Sequence, residues 1–196
     1  MLCTCADSFA GIEDQEQLYM GNLLDSAKNL WTLGRTQRMA VGLAESHTQV
    51  NHAMSVLLPT LLAAMAERSG DEQAMAAVQE LMKTEAGSLD EIAQQLAAGG
   101  PAAAGSPAGK LTGLLFGGDE ARLFKEVEAF SGLKPGHVTP MATMAAALVL
   151  RALSTHVKAE AGPKELASRL AKVGGGLSAL LPYEVVQVLY GKREAA

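Results

Sequence analysis

The fold of this chain is decided by the stretch QVNHAMSVLLPTLLAAM, residues 49–65. Its apolar side chains extend nearly around a helix, which is typical of a helix buried on several sides. Ser46 stands three residues before Gln49, a spacing that allows a capping box at the helix start. We therefore predict a long core helix that runs to about Ser69 and bends at Pro59, where a backbone hydrogen bond is missing.

A second long apolar stretch occupies residues 138–153, and its helix should begin between Lys134 and Thr139. Each long stretch is followed by a glycine-marked break, at Gly70 and Gly162, and then by a short amphipathic helix. Matched positions lie roughly 90 residues apart, which is too long for a solenoid repeat. This spacing favours a degenerate internal duplication.

Amphipathic patterns predict further helices on both sides of the long ones. Residues 15–42 carry apolar side chains at steps of three, four and seven, with a break expected near Leu33–Gly34. Capping boxes are predicted for Ser69 with Glu72 and for Ser88 with Glu91. Later in the chain, Asp119 is expected to cap the start of a helix, and Gly174–Gly176 to end the short helix after Gly162. Pro182 is expected in the first turn of the last helix.

The domain organisation follows from one change in composition. Residues 99–109 read GGPAAAGSPAG, which predicts a flexible linker in which Ser106 is solvated. We expect a single helical domain, residues 15–190, made of two halves on either side of this linker. The expected segments are the mobile acidic N-terminus 1–14, the halves 15–98 and 110–190, and the C-terminal tail 191–196.

Composition and charge narrow the fold class and the partners. The 48% hydrophobic residues with only 4% aromatics favour an all-α, multi-helix bundle around two long apolar helices. The net charge of −5 and the lack of a basic stripe predict no nucleic-acid partner. No export signal is recognised, and the apolar runs 56–66 and 141–150 are shorter than the ~20 residues of a membrane span. A cytoplasmic protein without a membrane span is therefore expected.

Residues with metal-binding or catalytic chemistry are few and scattered. Cys3 and Cys5 could be half of a metal site, but no second ligand cluster exists, which favours two free thiols. His47 and His52 are five residues apart, about 500° around a helix, so they do not share a face as an i, i+4 metal pair does. They are interpreted as surface or boundary histidines. The sequence thus predicts no catalytic, cofactor-binding or metal-binding residues. The methionines, at helical spacing within apolar stripes, are interpreted mainly as core residues.

The order of several packing motifs resembles the YidB-like bacterial family. These motifs are residues 49–65, the turn GLLFGG at 113–118, and FSGL at 130–133 followed by the apolar helix 141–153. The resemblance covers most of the chain from about Leu18 to Leu181, and it implies an all-helical fold. The family is uncharacterised, so no functional residues are carried over, and the acidic, cysteine-bearing N-terminus departs from its usual pattern.

Three classes of function are compatible with these observations. We expect foremost a non-enzymatic interaction or scaffolding module that binds a protein partner or associates with itself. One alternative is an enzyme whose site is assembled from dispersed residues such as His137, Glu126 and Arg151. The other is a binder of a lipid or small apolar ligand in the Leu/Met-lined interior between the two long helices.

Overall fold

The computed structural model describes residues 23–85, 87–99, 105–157 and 162–191. These ranges fold into α-helices and two short 3₁₀ turns without a strand, which confirms the predicted all-helical bundle. A helical segment, residues 23–30, precedes the first complete helix. In chain order the helices are α1 (Leu33–Leu43), α2 (His47–Glu67), α3 (Glu72–Thr84), α4 (Leu89–Ala97), α5 (Pro107–Phe116), α6 (Glu120–Ser131), α7 (Val138–His156), α8 (Pro163–Leu177) and α9 (Tyr183–Tyr190).

The two long apolar helices, α2 and α7, form the centre of the bundle and contact each other directly. Helices α1, α5, α6 and α8 pack around α2, and helices α3, α4, α5 and α6 pack around α7. The predicted core residues are buried. They are Leu57, Leu62, Leu148 and Leu153, each at most 1% exposed. By length and mean hydropathy (1.3) α7 could also cross a membrane, and 72% of that stretch is buried inside the bundle.

The start of α2 confirms the first predicted capping box. The Ser46 hydroxyl accepts the backbone N–H of Gln49 at 3.2 Å, and the Gln49 side chain accepts the backbone N–H of Ser46 at 3.0 Å. The helix continues through Pro59 and ends at Glu67, close to the predicted end. Both ends of the central helix could therefore be located from local sequence.

The other two predicted capping boxes do not form as expected. Helix α3 is capped by Asp71 and not by Ser69, because the Asp71 carboxylate accepts two backbone N–H groups, of Gln73 and Ala74, both at 3.0 Å. A carboxylate at this position also interacts favourably with the helix dipole. Ser88 does cap α4, but it accepts the N–H of Asp90 at 3.3 Å without forming a reciprocal box.

Two helix boundaries predicted at glycines are displaced by a few residues, because the glycines lie inside helices. The break in the first helical region lies at Trp31–Thr32, and Gly34 is inside α1. Helix α8 continues through Gly174 to Leu177, which is only 2% exposed. At Gly174 an added Cβ would lie 2.9 Å from the Ala66 Cβ, so the glycine permits close packing of α8 on α2. Burial of the helix outweighs the low helix propensity of glycine here.

The stretch predicted as a linker contains the start of a helix. The Ser106 hydroxyl accepts the N–H of Gly109 at 3.0 Å and caps α5, so Ser106 has a structural role that the linker prediction missed. Residues 100–104 lie outside the described residues. Asp119 precedes α6 as predicted, but it is part of a 3₁₀ turn and its side chain makes no capping hydrogen bond.

Helix order repeats between the two halves. Helices α2 and α7 begin 91 positions apart, at His47 and Val138, and the next helices also begin 91 positions apart, at Glu72 and Pro163. The neighbouring helices follow the same order, because α1 packs on α2 and α4, as α6 packs on α7 and α9. This arrangement supports an internal duplication in which α1 to α4 correspond to α6 to α9.

Candidate interaction surface

The three residues considered for a dispersed active site are not brought together. His137 lies at the N-cap of α7, and Arg151 is fourteen residues further along, about 20 Å away at the rise of an α-helix. Arg151 donates a hydrogen bond to the Gly87 carbonyl at 2.7 Å. Glu126 lies on α6, and no hydrogen bond or ion pair joins it to His137 or Arg151 within the described ranges.

A buried carboxylate joins the α1–α2 turn to the loop before α7. The Glu45 side chain, only 2% exposed, accepts the backbone N–H of Lys134 at 2.9 Å and pairs with His137 Nδ1 at 2.7 Å. Burial raises the pKa of Glu45, but these two hydrogen bonds and the charges of Lys134 and His137 lower it overall. His137 therefore uses one ring nitrogen in a contact that fixes the loop.

A second carboxylate, Glu85, has a raised pKa, whereas the pKa of Glu45 is lowered. Its Oε2 atom is buried and has no hydrogen-bond partner among the described residues. Burial raises the pKa of Glu85, although the Ala108 backbone N–H and the charge of Arg151 act against this. Glu85 thus links the end of α3 with α5 and α7 and favours its neutral form.

We expect Glu85→Gln to change how stability depends on pH. Because the folded-state pKa of Glu85 is raised, its stabilising contribution is complete below the unfolded-state pKa of about 4.3. That contribution is lost as the pH rises through the folded-state pKa, whereas glutamine cannot ionise. In thermal melts from about pH 4 to about pH 7, the melting temperature of the variant minus that of wild type should therefore increase with pH.

The opposite trend is expected for Asp90→Asn. A hydrogen bond from Arg35 at 3.0 Å, together with the nearby Arg38, lowers the pKa of Asp90. The contribution of Asp90 is present above its unfolded-state pKa of about 3.9 and is lost as the pH falls through the folded-state pKa. For Glu85→Gln, a difference in melting temperature from wild type that stays constant across the pH range would contradict the raised pKa of Glu85.

The described residues do not place metal-ligating side chains together, and most of the described methionines are buried. Within the described ranges, no three His, Cys, Asp or Glu side chains are grouped to hold a metal ion, and Cys3 and Cys5 lie outside those ranges. The prediction that most methionines are core residues is confirmed for six of them. These are Met39, Met54, Met65, Met75, Met141 and Met144.

One face of the N-terminal half of α2 is exposed, although most of the helix is buried. This face, which we call the α2 strip, consists of His47, Thr48, Asn51, His52 and Ser55. It spans about 140° around the helix, with His47 and His52 at its opposite edges. All five side chains are polar, and none is a carboxylate, an ammonium or a guanidinium group. The exposure of both histidines agrees with their predicted surface positions. The strip is therefore a polar surface without acidic side chains, lysine or arginine.

Aromatic side chains flank the α2 strip on both sides. On the α1 side, the Trp31 indole N–H donates to the Asn51 side-chain oxygen at 2.9 Å, and the Thr36 hydroxyl donates to the same oxygen at 3.2 Å. On the α6 side, the Phe130 ring, whose residue is 51% exposed, lies 6.3 Å from the His52 ring between centroids. Asn51 thus holds the indole beside the strip.

The position of α6 beside α2 is fixed by a neighbouring contact. The Gln49 side-chain amide donates to the carbonyl of Gly132, two residues after Phe130. Gly132 adopts φ 72°, a left-handed conformation that favours glycine and ends α6. The sequence reading missed this surface, and its available signal was the single tryptophan in a chain with few aromatic residues.

The composition of the α2 strip can be compared with that of protein–protein interfaces, whose fully buried cores are more apolar than the rest of the surface. Such cores are depleted of charged residues and enriched in Trp, Tyr and Phe. Tryptophan in particular contributes strongly to binding energy at interfaces. The α2 strip, with Trp31 and Phe130, shares with such cores the lack of carboxylate, ammonium and guanidinium groups and the presence of aromatic side chains.

An open cavity of about 610 Å³ lies at the opposite end of α2. It is formed where the C-terminal end of α2 meets α8, and most of the residues that line it are small. Its lining includes Ala66, Glu67, Gly174, Ser178 and Tyr190. This cavity lies at the surface and differs from the apolar interior expected for a lipid-binding protein.

Comparison with known proteins identifies a bacterial family. The model of a family described as "Bacterial protein of unknown function (DUF937)" matches residues 28–156. The matched segment includes α1 to α7, and hence the α2 strip with Trp31 and Phe130. No curated protein and no solved structure matches the chain.

Proposed function

The chain belongs to this bacterial family of unknown function, DUF937, and within it we propose a non-enzymatic interaction module that docks a protein partner on the α2 strip. One observation carries the proposal. In a chain with 4% aromatic residues, the only tryptophan and a half-exposed phenylalanine flank a polar helix face that has no acidic side chain, lysine or arginine. The finer relationship to YidB-like proteins, inferred from motif order, is part of this proposal.

Rigidity of the surface supports the proposal. Asn51 accepts hydrogen bonds from both Trp31 and Thr36, and the Gln49 side chain ties α2 to the end of α6. The Trp31 indole and the end of α6 that carries Phe130 are therefore held in place before a partner arrives. Binding then costs little conformational entropy, which is how preorganised surfaces reach useful affinity.

Affinity purification of tagged protein from its native cell tests the proposal. Phe130→Asp should abolish capture of the partner, because it places a carboxylate at the edge of the interface core. Val41→Asp is the matched control, since Val41 is 74% exposed on α1 and lies outside the strip and its flanking residues. We expect wild type and Val41→Asp to capture the same proteins.

The free energy of unfolding of both variants should stay within about 1 kcal/mol of wild type, because both sites are exposed. Thermal melts would measure this. Identical protein sets captured by wild type and a folded Phe130→Asp variant would refute the α2 strip as the docking surface.

A further inference from the structure

Three helices end around the open cavity at the C-terminal end of α2. The last residues of α2 and α9, Glu67 and Tyr190, line this cavity, and so does Ser178, which follows α8 and begins a three-residue 3₁₀ turn. The carbonyl groups at the end of a helix carry a partial negative charge, because the peptide dipoles are aligned along the helix axis. The cavity thus lies beside the negative ends of α2, α8 and α9.

No basic side chain among the described lining residues offsets this charge, whereas Glu67 adds a carboxylate to it. The last turns of the three helices contain no basic residue. Arg68, next in the chain, donates its Nε–H to the Leu115 carbonyl at 3.1 Å, so its guanidinium lies toward α5. Lys172 on α8 is exposed and does not line the cavity. The described wall of the cavity is therefore electronegative.

The size and the lining of the cavity suit a small organic ligand. Its volume of about 610 Å³ lies within the range of roughly 300–1,000 Å³ that is usual for small-molecule sites. Ala66, Ala171 and Gly174 provide apolar surface, and the hydroxyl groups of Ser69 and Ser178 provide hydrogen-bond acceptors. The cavity can therefore hold both an aliphatic chain and a polar group.

We propose that this cavity binds a small organic cation with a primary ammonium group. An ammonium has three donors and no acceptor, which suits the Glu67 carboxylate and the serine hydroxyl oxygens. Glu67 also has a contact within the chain, and a carboxylate has enough acceptor sites to serve both. The Tyr190 ring offers a cation–π contact. The site is separate from the α2 strip and does not depend on its docking function.

Other classes of ligand fit this lining less well. An anion would meet the Glu67 carboxylate and the negative ends of the helices. A bare metal ion needs several ligating side chains, and the described residues contain no group of three that could hold one. The lining therefore selects for a positive charge on an organic molecule.

Calorimetric titration of the full chain with cadaverine tests the proposal. Cadaverine is a linear diamine that is protonated at neutral pH, and pentanediol is its uncharged analogue of the same length. We expect wild type to bind cadaverine at least tenfold more tightly than pentanediol. Glu67→Gln should weaken cadaverine binding by about tenfold or more. Glu91→Gln removes an exposed carboxylate from α4, which does not line the cavity, and should bind like wild type.

A second variant tests where the diamine binds without changing any charge. Ser178 is exposed, so tryptophan at this position should leave the fold intact while its indole fills part of the cavity. We expect Ser178→Trp to abolish cadaverine binding. Unchanged circular dichroism and melting temperature establish that this variant and Glu67→Gln are folded.

The chain itself offers a second source of the same chemistry. Lys192 and Arg193 follow Tyr190 by two and three positions in the sequence. Tighter cadaverine binding by the double variant Lys192→Ala, Arg193→Ala would identify these side chains as competitors for the cavity. Unchanged binding by the double variant would assign the cavity to a free ligand.

Three results would overturn the proposal. The first is no cadaverine binding by either wild type or the double variant, and the second is equal binding of cadaverine and pentanediol. The third is cadaverine binding that Glu67→Gln and Ser178→Trp leave unchanged while both remain folded. None of these results bears on the α2 strip, which native-cell capture tests with Phe130→Asp.

Discussion

Leu148→Asp should unfold the protein. Leu148 is fully buried on α7, within the run 141–150 in which every residue is buried. An aspartate there would bury a carboxylate without a partner, at a cost of several kcal/mol against a total stability of about 5–15 kcal/mol. Circular dichroism should show the loss of helix, and Leu57→Asp on α2 should have the same effect, because Leu57 is equally buried.

Two controls separate this effect from a general sensitivity to substitution. Leu148→Met conserves volume and polarity and should cost less than about 1.5 kcal/mol. His52→Ala, at an exposed position, should change stability by less than about 1 kcal/mol, and so should His47→Ala. A Leu148→Asp protein with the wild-type melting temperature would contradict the central position of α7.

Gly42→Ala should destabilise the protein by about 1–3 kcal/mol through overpacking. Gly42 lies on α1, and a Cβ at this position would overlap the backbone and Cβ of Ala97 on α4. The two helices are also tied together near their other ends, where Arg35 and Arg38 contact Asp90. They cannot separate at Gly42 without straining those contacts, and urea unfolding would measure the loss.

Gly34→Ala is the matched control on the same helix. An added Cβ at Gly34 meets no atom within 4 Å, so only helix propensity changes, and stability should rise by up to about 1 kcal/mol. If Gly42→Ala also raised stability, the close contact between α1 and α4 would be refuted. Opposite responses of two glycines in one helix are expected only if tertiary packing decides the sign.

The sequence could locate some residues of the candidate surface but could not assemble it. His47 and His52 were expected at the surface or its boundary because their five-residue spacing does not suit a metal pair on one helix face. Trp31 was assigned to an apolar stripe, and nothing in its local sequence shows that Asn51 accepts its indole N–H. Phe130 reaches His52 across 78 positions of chain, a pairing that depends on how α6 packs along α2.

What the sequence determined by itself was the class of fold, the two core helices and the capping box at Ser46. These depend on the period of apolar residues and on hydrogen bonds within one turn, both of which act over a few neighbouring positions. Only the tertiary structure decided that glycines at 34 and 174 stay helical, that Asp71 replaces Ser69 as a cap, and that Glu45 meets His137. Those outcomes depend on burial and on contacts between distant segments, whose energies exceed the local preference of any single residue.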